Sequence, residues 1–113
     1  MKIQVLSQPP GIEVVRLAGD LDFNTSPDIR RQFEKITAKK EPRVLVNLQK
    51  VEYIDSSGLA TFIELFQKIK RSGGKLVLFN LNQAVRSVFE IAKLDSLFPL
   101  AQNEQEALAL INS

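Results

Sequence analysis

Four consecutive residues, Asp55-Ser56-Ser57-Gly58, carry the densest local chemistry in the chain. They stand between a strand-derived loop and a long amphipathic stretch, where a helix should begin. The first turn of a helix exposes amide N–H groups without helical partners, and the aligned peptide dipoles make that end electropositive. Such an end accepts an anion, including a phosphate carried on a serine. Two hydroxyls, a carboxylate and a glycine gathered there suit a modifiable docking point, and Gly58 would let another protein's backbone approach closely. Capping accounts for the same residue types, because Asp and Ser are preferred N-caps, and on spacing alone it is the favoured reading. Serine catalysis is disfavoured on other grounds. Ile54-Asp55-Ser56-Ser57-Gly58 lacks the first glycine of a nucleophile elbow. The chain has no histidine to act as base, and no lysine stands at a motif spacing from the serine pair.

A second polar string, Gly19-Asp20-Leu21-Asp22-Phe23-Asn24, offers two carboxylates for a cation or for acid–base work. A calcium loop needs further oxygen ligands at fixed spacing, and they are missing, so a turn closed by Asx side chains, or a partner contact, is preferred. Without cysteine or histidine there is no disulfide scaffold, no zinc site of the usual kind and no cysteine nucleophile. Gly73-Gly74 is not a phosphate loop, since no Gly-Lys-Ser/Thr follows it. Fifteen basic residues against 13 acidic ones leave a net charge of +2, too weak to argue for direct nucleic-acid binding. Lys39-Lys40 and Lys68-Lys70-Arg71 read as solvated helix faces: they are interleaved with acids and lack aromatic platforms. No cofactor is expected, and no enzymatic activity.

The elements that must position these residues can be read from hydrophobic periodicity. Ile3 to Leu6 and Ile12 to Ala18 read as two strands joined by the turn Pro9-Pro10-Gly11, hence an antiparallel pair. Gly19 to Asp22 should break the second strand and open a loop. A helix follows, capped by Thr25 or Ser26, with Pro27 and Asp28 in its first turn and an apolar stripe of Ile29, Phe33 and Ile36. Pro42 stops it. Arg43 to Leu48 reads as a buried strand. The helix after Gly58 carries Leu59, Phe62, Ile63, Phe66 and Ile69 on its apolar side, and Gly73-Gly74 close it. Lys75 to Phe79 is a further core strand. Asn82 caps a helix whose inner face is Val85, Val88, Phe89, Ile91 and Ala92. Leu94 to Leu100 is irregular or a short strand, and Asn103-Glu104-Gln105-Glu106 starts a last helix through Ile111.

The order β-β-α-β-α-β-α-(β)-α implies a single α/β domain over residues 1–113. Its sheet should be mixed and mostly parallel, with an N-terminal antiparallel hairpin and about four flanking helices. With 44% apolar residues and low net charge, disorder is not expected. No apolar run is long enough for a signal peptide or a membrane span, so a cytoplasmic protein with no membrane insertion is expected.

Gly19-Asp20-Leu21-Asp22, the strand Val44-Leu45-Val46-Asn47-Leu48, and Tyr53-Ile54-Asp55-Ser56-Ser57-Gly58-Leu59 followed by a helix together resemble the STAS domain. The subgroup they resemble is the stand-alone bacterial anti-sigma factor antagonists, and the likeness runs from about Ile3 to Ile111. The resemblance implies a mixed sheet flanked by helices. It implies that Ser57, the serine before the glycine, is a phosphoacceptor, which raises that role above mere capping. The unphosphorylated form would bind an anti-sigma factor that is also a serine/threonine kinase, and a protein phosphatase would reset the switch. Asp22, Asn24, Asp55, Ser56, Gly58 and Leu59 would lie at or near the partner surface.

Two other readings stay open at this level. A STAS-like domain can instead be a regulatory subunit of a phospholipid ABC transporter or a module of a stress-sensing assembly, with the same helix end as a constitutive docking surface. A small nucleotide-binding protein would use the helix N-terminus at Gly58 to hold phosphate, against which stands the missing phosphate-loop lysine. Exposed apolar residues around Leu59 and Phe62 would support a weak homodimer.

Overall fold

The computed structural model describes residues 1–7 and 10–113. Nine elements follow in the expected order: β1 (Lys2–Leu6), β2 (Glu13–Leu21), α1 (Ser26–Thr37), β3 (Arg43–Ile54), α2 (Ser56–Arg71), β4 (Lys75–Phe79), α3 (Gln83–Ile91), β5 (Leu100–Ala101) and α4 (Glu104–Ile111). They build one five-stranded sheet in the order β1-β2-β3-β4-β5, antiparallel between β1 and β2 and parallel elsewhere. Gly11 turns the hairpin at a φ of +85°; Pro9 of the expected turn lies outside the described residues.

Two strands are longer than the sequence pattern suggests. β2 does not break at Gly19 but runs on to Leu21, pairing Gly19 with Val51, Asp20 with Tyr53 and Leu21 with Ile54. β3 likewise passes Leu48 and ends at Ile54. The reason is a pair of register shifts between these strands, one between Arg16 and Ala18 and one between Gly19 and Asp20. Bulges of this kind interrupt simple alternation. The buried residues Leu48, Val51 and Ile54 consequently recur every third residue, a spacing that does not read as strand. Gly19 takes a φ of +113°, which a residue with a β-carbon rarely adopts.

Helices α1, α2 and α3 cover one face of the sheet. Ile29, Phe33 and Ile36 from α1, Phe62, Leu65 and Ile69 from α2, and Val85 and Phe89 from α3 close over Val15, Leu17, Val46 and Leu48. Rings of Phe33, Phe62, Phe89 and Phe98 stand in sequence with centroids 6.1, 6.3 and 5.7 Å apart. α2 buries Leu65 and Thr61 along with Phe62 and Ile69, whereas Leu59, Ile63 and Phe66 are only half-buried. Ile91 does not belong to the inner face of α3: it is 82% exposed, and Ala92 is exposed beside it. The chain turns away there through Lys93, at a φ of +59°, and Leu94 bonds back to the Phe89 carbonyl at 2.8 Å.

α4 packs alone on the opposite face, where Ala107 and Ile111 meet Ile12, Val14, Leu45 and Val77. Lys39 is exposed, as expected, and also pairs with Glu13 at the start of β2, and the Ser7 hydroxyl donates to the same carboxylate at 2.8 Å. Burial pushes the Glu13 carboxyl up, but the hydrogen bonds from Lys39 and Ser7 and the Lys39 charge outweigh it and hold it below its ordinary range. Among the described residues, no helix is long and apolar enough to cross a membrane.

Candidate functional site

The carboxyl ends of β2 and β3 stop side by side at Leu21 and Ile54, and the loops that leave them form the site. In open parallel sheets this end of the strands is where ligands and partners are met, because the loops there are not consumed by the sheet.

The β3–α2 junction is capped as its residue types suggest. Asp55 is in an extended conformation at the N-cap, and its Oδ1 accepts from the Gly58 amide at 3.0 Å. The Asp55 carbonyl accepts from the Leu59 amide, also at 3.0 Å. Ser56 and Ser57 are the first two residues of α2; Ser56 is exposed and Ser57 half-buried. Among the described residues, neither hydroxyl takes part in a hydrogen bond, whereas the Ser57 carbonyl accepts from Thr61 Oγ1 at 2.9 Å. The serine backbone is thus held by the helix while its Oγ is left for solvent or a partner.

Gly58 has a role the sequence does not disclose. It is buried, and a β-carbon at this position would lie 2.6 Å from the Leu21 carbonyl oxygen and 2.8 Å from Ile54 Cγ1. The backbone that approaches Gly58 is therefore the chain's own β2, not an incoming partner. The same Leu21 carbonyl accepts from the Asp55 amide at 3.0 Å, which ties the two loops together.

The β2–α1 loop is a turn built around Asp22. Its Oδ1 accepts from the amides of Asn24 and Thr25 at 2.9 and 3.1 Å, the Asx arrangement expected of this string. Its carbonyl accepts from Ser26 Oγ at 2.7 Å and from the Ser26 amide at 2.9 Å. Neither Thr25 nor Ser26 caps α1 through its side chain. Thr25 Oγ1 donates to the Asp20 carbonyl at 2.8 Å, and the buried Ser26 hydroxyl points back into the turn. The loop itself, pinned by Asp22, satisfies the groups a cap would serve.

Asn24 is exposed, Asp22 and Asp55 are half-buried, and Leu59 packs against the core. Phe62 is only 1% exposed, so the apolar patch expected around Leu59 and Phe62 is not on the surface. Two residues that the sequence reading did not single out are on the surface instead: Phe23, 76% exposed between Asp22 and Asn24, and Tyr53, 54% exposed across from Asp20. A large aromatic in an otherwise polar loop is the signal that would have found Phe23. The arrangement can present a hydroxyl, two carboxylates and two aromatic faces to a partner, with helix amides beside the hydroxyl.

The STAS domain family matches residues 4–107, and the chain belongs to it. Its relatives are regulators. It is 27% identical to an anti-sigma F factor antagonist of Paenibacillus polymyxa over 110 residues, 96% of this chain and 94% of that one. The crystal structure of an anti-sigma factor antagonist from Mycobacterium paratuberculosis superposes with a TM-score of 0.87 at 25% identity, covering 99% of this chain and 96% of the other. The fold is shared with SpoIIAA, solved in an unphosphorylated form (TM-score 0.82, 23% identity, 98% of this chain and 96% of that one). The phosphorylated form of this Bacillus cell-fate determinant gives a TM-score of 0.73 at 22% identity, over 97% and 99% of the two chains.

Proposed function

We propose that this chain is a cytoplasmic anti-sigma factor antagonist that docks on an anti-sigma factor through the loops around Asp22 and Asp55, and that phosphorylation of Ser57 switches the docking off. The observation that carries this reading is the Ser57 hydroxyl, half-buried, free of hydrogen bonds among the described residues and fixed by backbone contacts to the first turn of α2. The antagonist relatives, and the existence of a fold neighbour in phosphorylated and unphosphorylated forms, support it.

The anti-sigma factor is itself the serine/threonine kinase. It transfers the γ-phosphoryl group of ATP to Ser57 Oγ: the bond to ADP breaks, the Oγ–P bond forms, and the hydroxyl proton passes to a base of the kinase. A protein phosphatase hydrolyses the ester and restores the docking form. The added group brings about −1.5 to −2 charge and three acceptor oxygens. The helix end stabilises part of that charge, so the fold survives. Asp55 stands two residues away at the N-cap and Asp22 on the adjoining loop, so a partner seated on Asn24, Ser56 and Leu59 meets a concentrated negative patch. Like-charge repulsion and a lost close contact of about 3 kcal/mol already reduce affinity more than a hundredfold.

The test is binding of the purified chain to a candidate anti-sigma kinase, comparing wild type with Ser57→Ala and Ser57→Asp. Wild type and Ser57→Ala should bind and Ser57→Asp should not; equal affinity for Ser57→Asp sinks the charge switch. Mass spectrometry after incubation with kinase and ATP should find phosphate on Ser57, and phosphate confined to Ser56 or Ser26 would move the site.

A further inference from the structure

We propose that the part of the sheet face left bare by α4 binds a small polyanion, a phosphate- or carboxylate-bearing metabolite, at a site separate from Ser57 and independent of the anti-sigma reading. Ile12, just before β2, and Val14 on it are buried under α4, but Arg16, further along the same face, is exposed and Ala18 is half-buried. Here the continuous burial of Glu13 to Val15 ends and the strand presents a cation. A concavity of about 840 Å³ opens over this region, lined by Lys2, Arg16, Lys50, Asn47, Asn80 and Glu104 among others. That is the size range of small-molecule sites.

Register explains how the cations converge. Lys2 pairs with Ala18 and Ala18 with Lys50, so two lysines flank a small residue across three strands. Neighbouring strands lie about 4.8 Å apart, which sets the two lysine backbones roughly 10 Å from one another. The register shift between Arg16 and Ala18 is what brings Lys50 opposite Ala18. Arg16 pairs with Asn47 in the next row. Among the described residues, the ion pairs engage Arg30, Arg31 and Lys39 but none of Lys2, Arg16 and Lys50. Asn47 Oδ1 accepts from the Gln49 amide at 3.0 Å and from Asn80 Nδ2 at 3.3 Å, which orients the Asn47 amide and leaves its NH₂ as a donor. Asn80 holds a φ of +59°, and left-handed non-glycine residues of this kind cluster at ligand sites. Glu104 is the one carboxylate of the lining.

The test is an amide-resolved NMR titration of the full chain with sodium pyrophosphate and, separately, citrate, at constant ionic strength. Saturable shifts at Arg16, Asn47, Lys50 and Asn80, with half-saturation below about 1 mM, support the site. Response to one anion alone assigns the phosphate or the carboxylate class. Arg16→Gln and Lys50→Gln, at exposed positions that leave the fold intact, should each weaken binding about tenfold, and Ser57→Ala should not change it. Saturable shifts confined to residues 55–58, unchanged affinity in both variants, or no saturation with either anion would overturn the proposal.

Discussion

The Leu21 carbonyl oxygen sits 2.6 Å from where a β-carbon on Gly58 would lie. The same oxygen accepts the Asp55 amide at 3.0 Å. Gly58 is therefore a seam between β2 and α2. Replacing it with alanine forces the backbone of Leu21 or the start of α2 to shift, and overpacking of this kind costs about 1–3 kcal/mol. Gly58→Ala should lower the unfolding free energy by that amount, read from chemical denaturation, and misplace the Ser57 hydroxyl. A variant as stable as wild type would show that the seam yields without cost.

Asp55 combines a cap and a charge, and two substitutions separate them. Asp55→Ala removes the acceptor for the Gly58 amide and should cost about 1 kcal/mol of stability. Asp55→Asn keeps a capping oxygen and should stay within about 0.5 kcal/mol of wild type. If the Asp55 charge adds to the negative patch that repels the partner, Asp55→Asn should weaken the binding difference between wild type and Ser57→Asp. An unchanged difference would place the repulsion elsewhere.

Glu13 sets a pH dependence of stability. Against the upward push of burial, Lys39 and Ser7 hold its carboxyl below the ordinary value of 4.5. A depressed carboxylate gives stability that is complete above the unfolded-state value and is lost as pH falls through the folded-state value. Glu13→Gln should therefore be less stable than wild type at pH 7 by about 1–2 kcal/mol. The gap should close as pH drops below about 4.5. Chemical denaturation of both proteins between pH 7 and pH 3 checks this, and a constant gap would rule out the carboxylate as its origin.

Phe23 and Tyr53 are exposed aromatics near the ends of β2 and β3, where the proposed docking loops lie, and such side chains commonly anchor protein interfaces. Phe23→Ala should leave the denaturant midpoint nearly unchanged, since most of the residue is exposed, and Tyr53→Ala, about half exposed, should lower it only slightly. Each should weaken docking on the anti-sigma factor about tenfold or more. Binding indistinguishable from wild type in both variants would remove the aromatics from the interface.

Much of the fold can be read from local pattern. The Asp55, Asn82 and Asn103 caps all accept from the amide three residues on, as their sequence settings suggest. These contacts are legible because both partners lie within one helical turn. The far ends of β2 and β3 are not legible, because bulges replace the two-residue alternation that marks a strand. Ile91 shows the opposite failure: its spacing fits the apolar face of α3, but the helix ends on it and the chain leaves the core. Within the site, the capping role of Asp55 and the place of Ser57 in the first turn of α2 follow from residue type. The burial of Phe62 and the exposure of Phe23 do not.

The sequence by itself determined the order of elements, the helix start at Asp55 and the absence of a histidine or cysteine to drive catalysis. These depend on composition and on interactions between residues a few positions apart. Tertiary structure alone decided that Gly58 serves Leu21, that Lys39 reaches Glu13 across 26 residues, and that Lys2, Arg16 and Lys50 share one bare face. Each of those depends on strand register and on which helix covers which face, and long-range chain closure sets both without leaving a periodic trace in the local sequence.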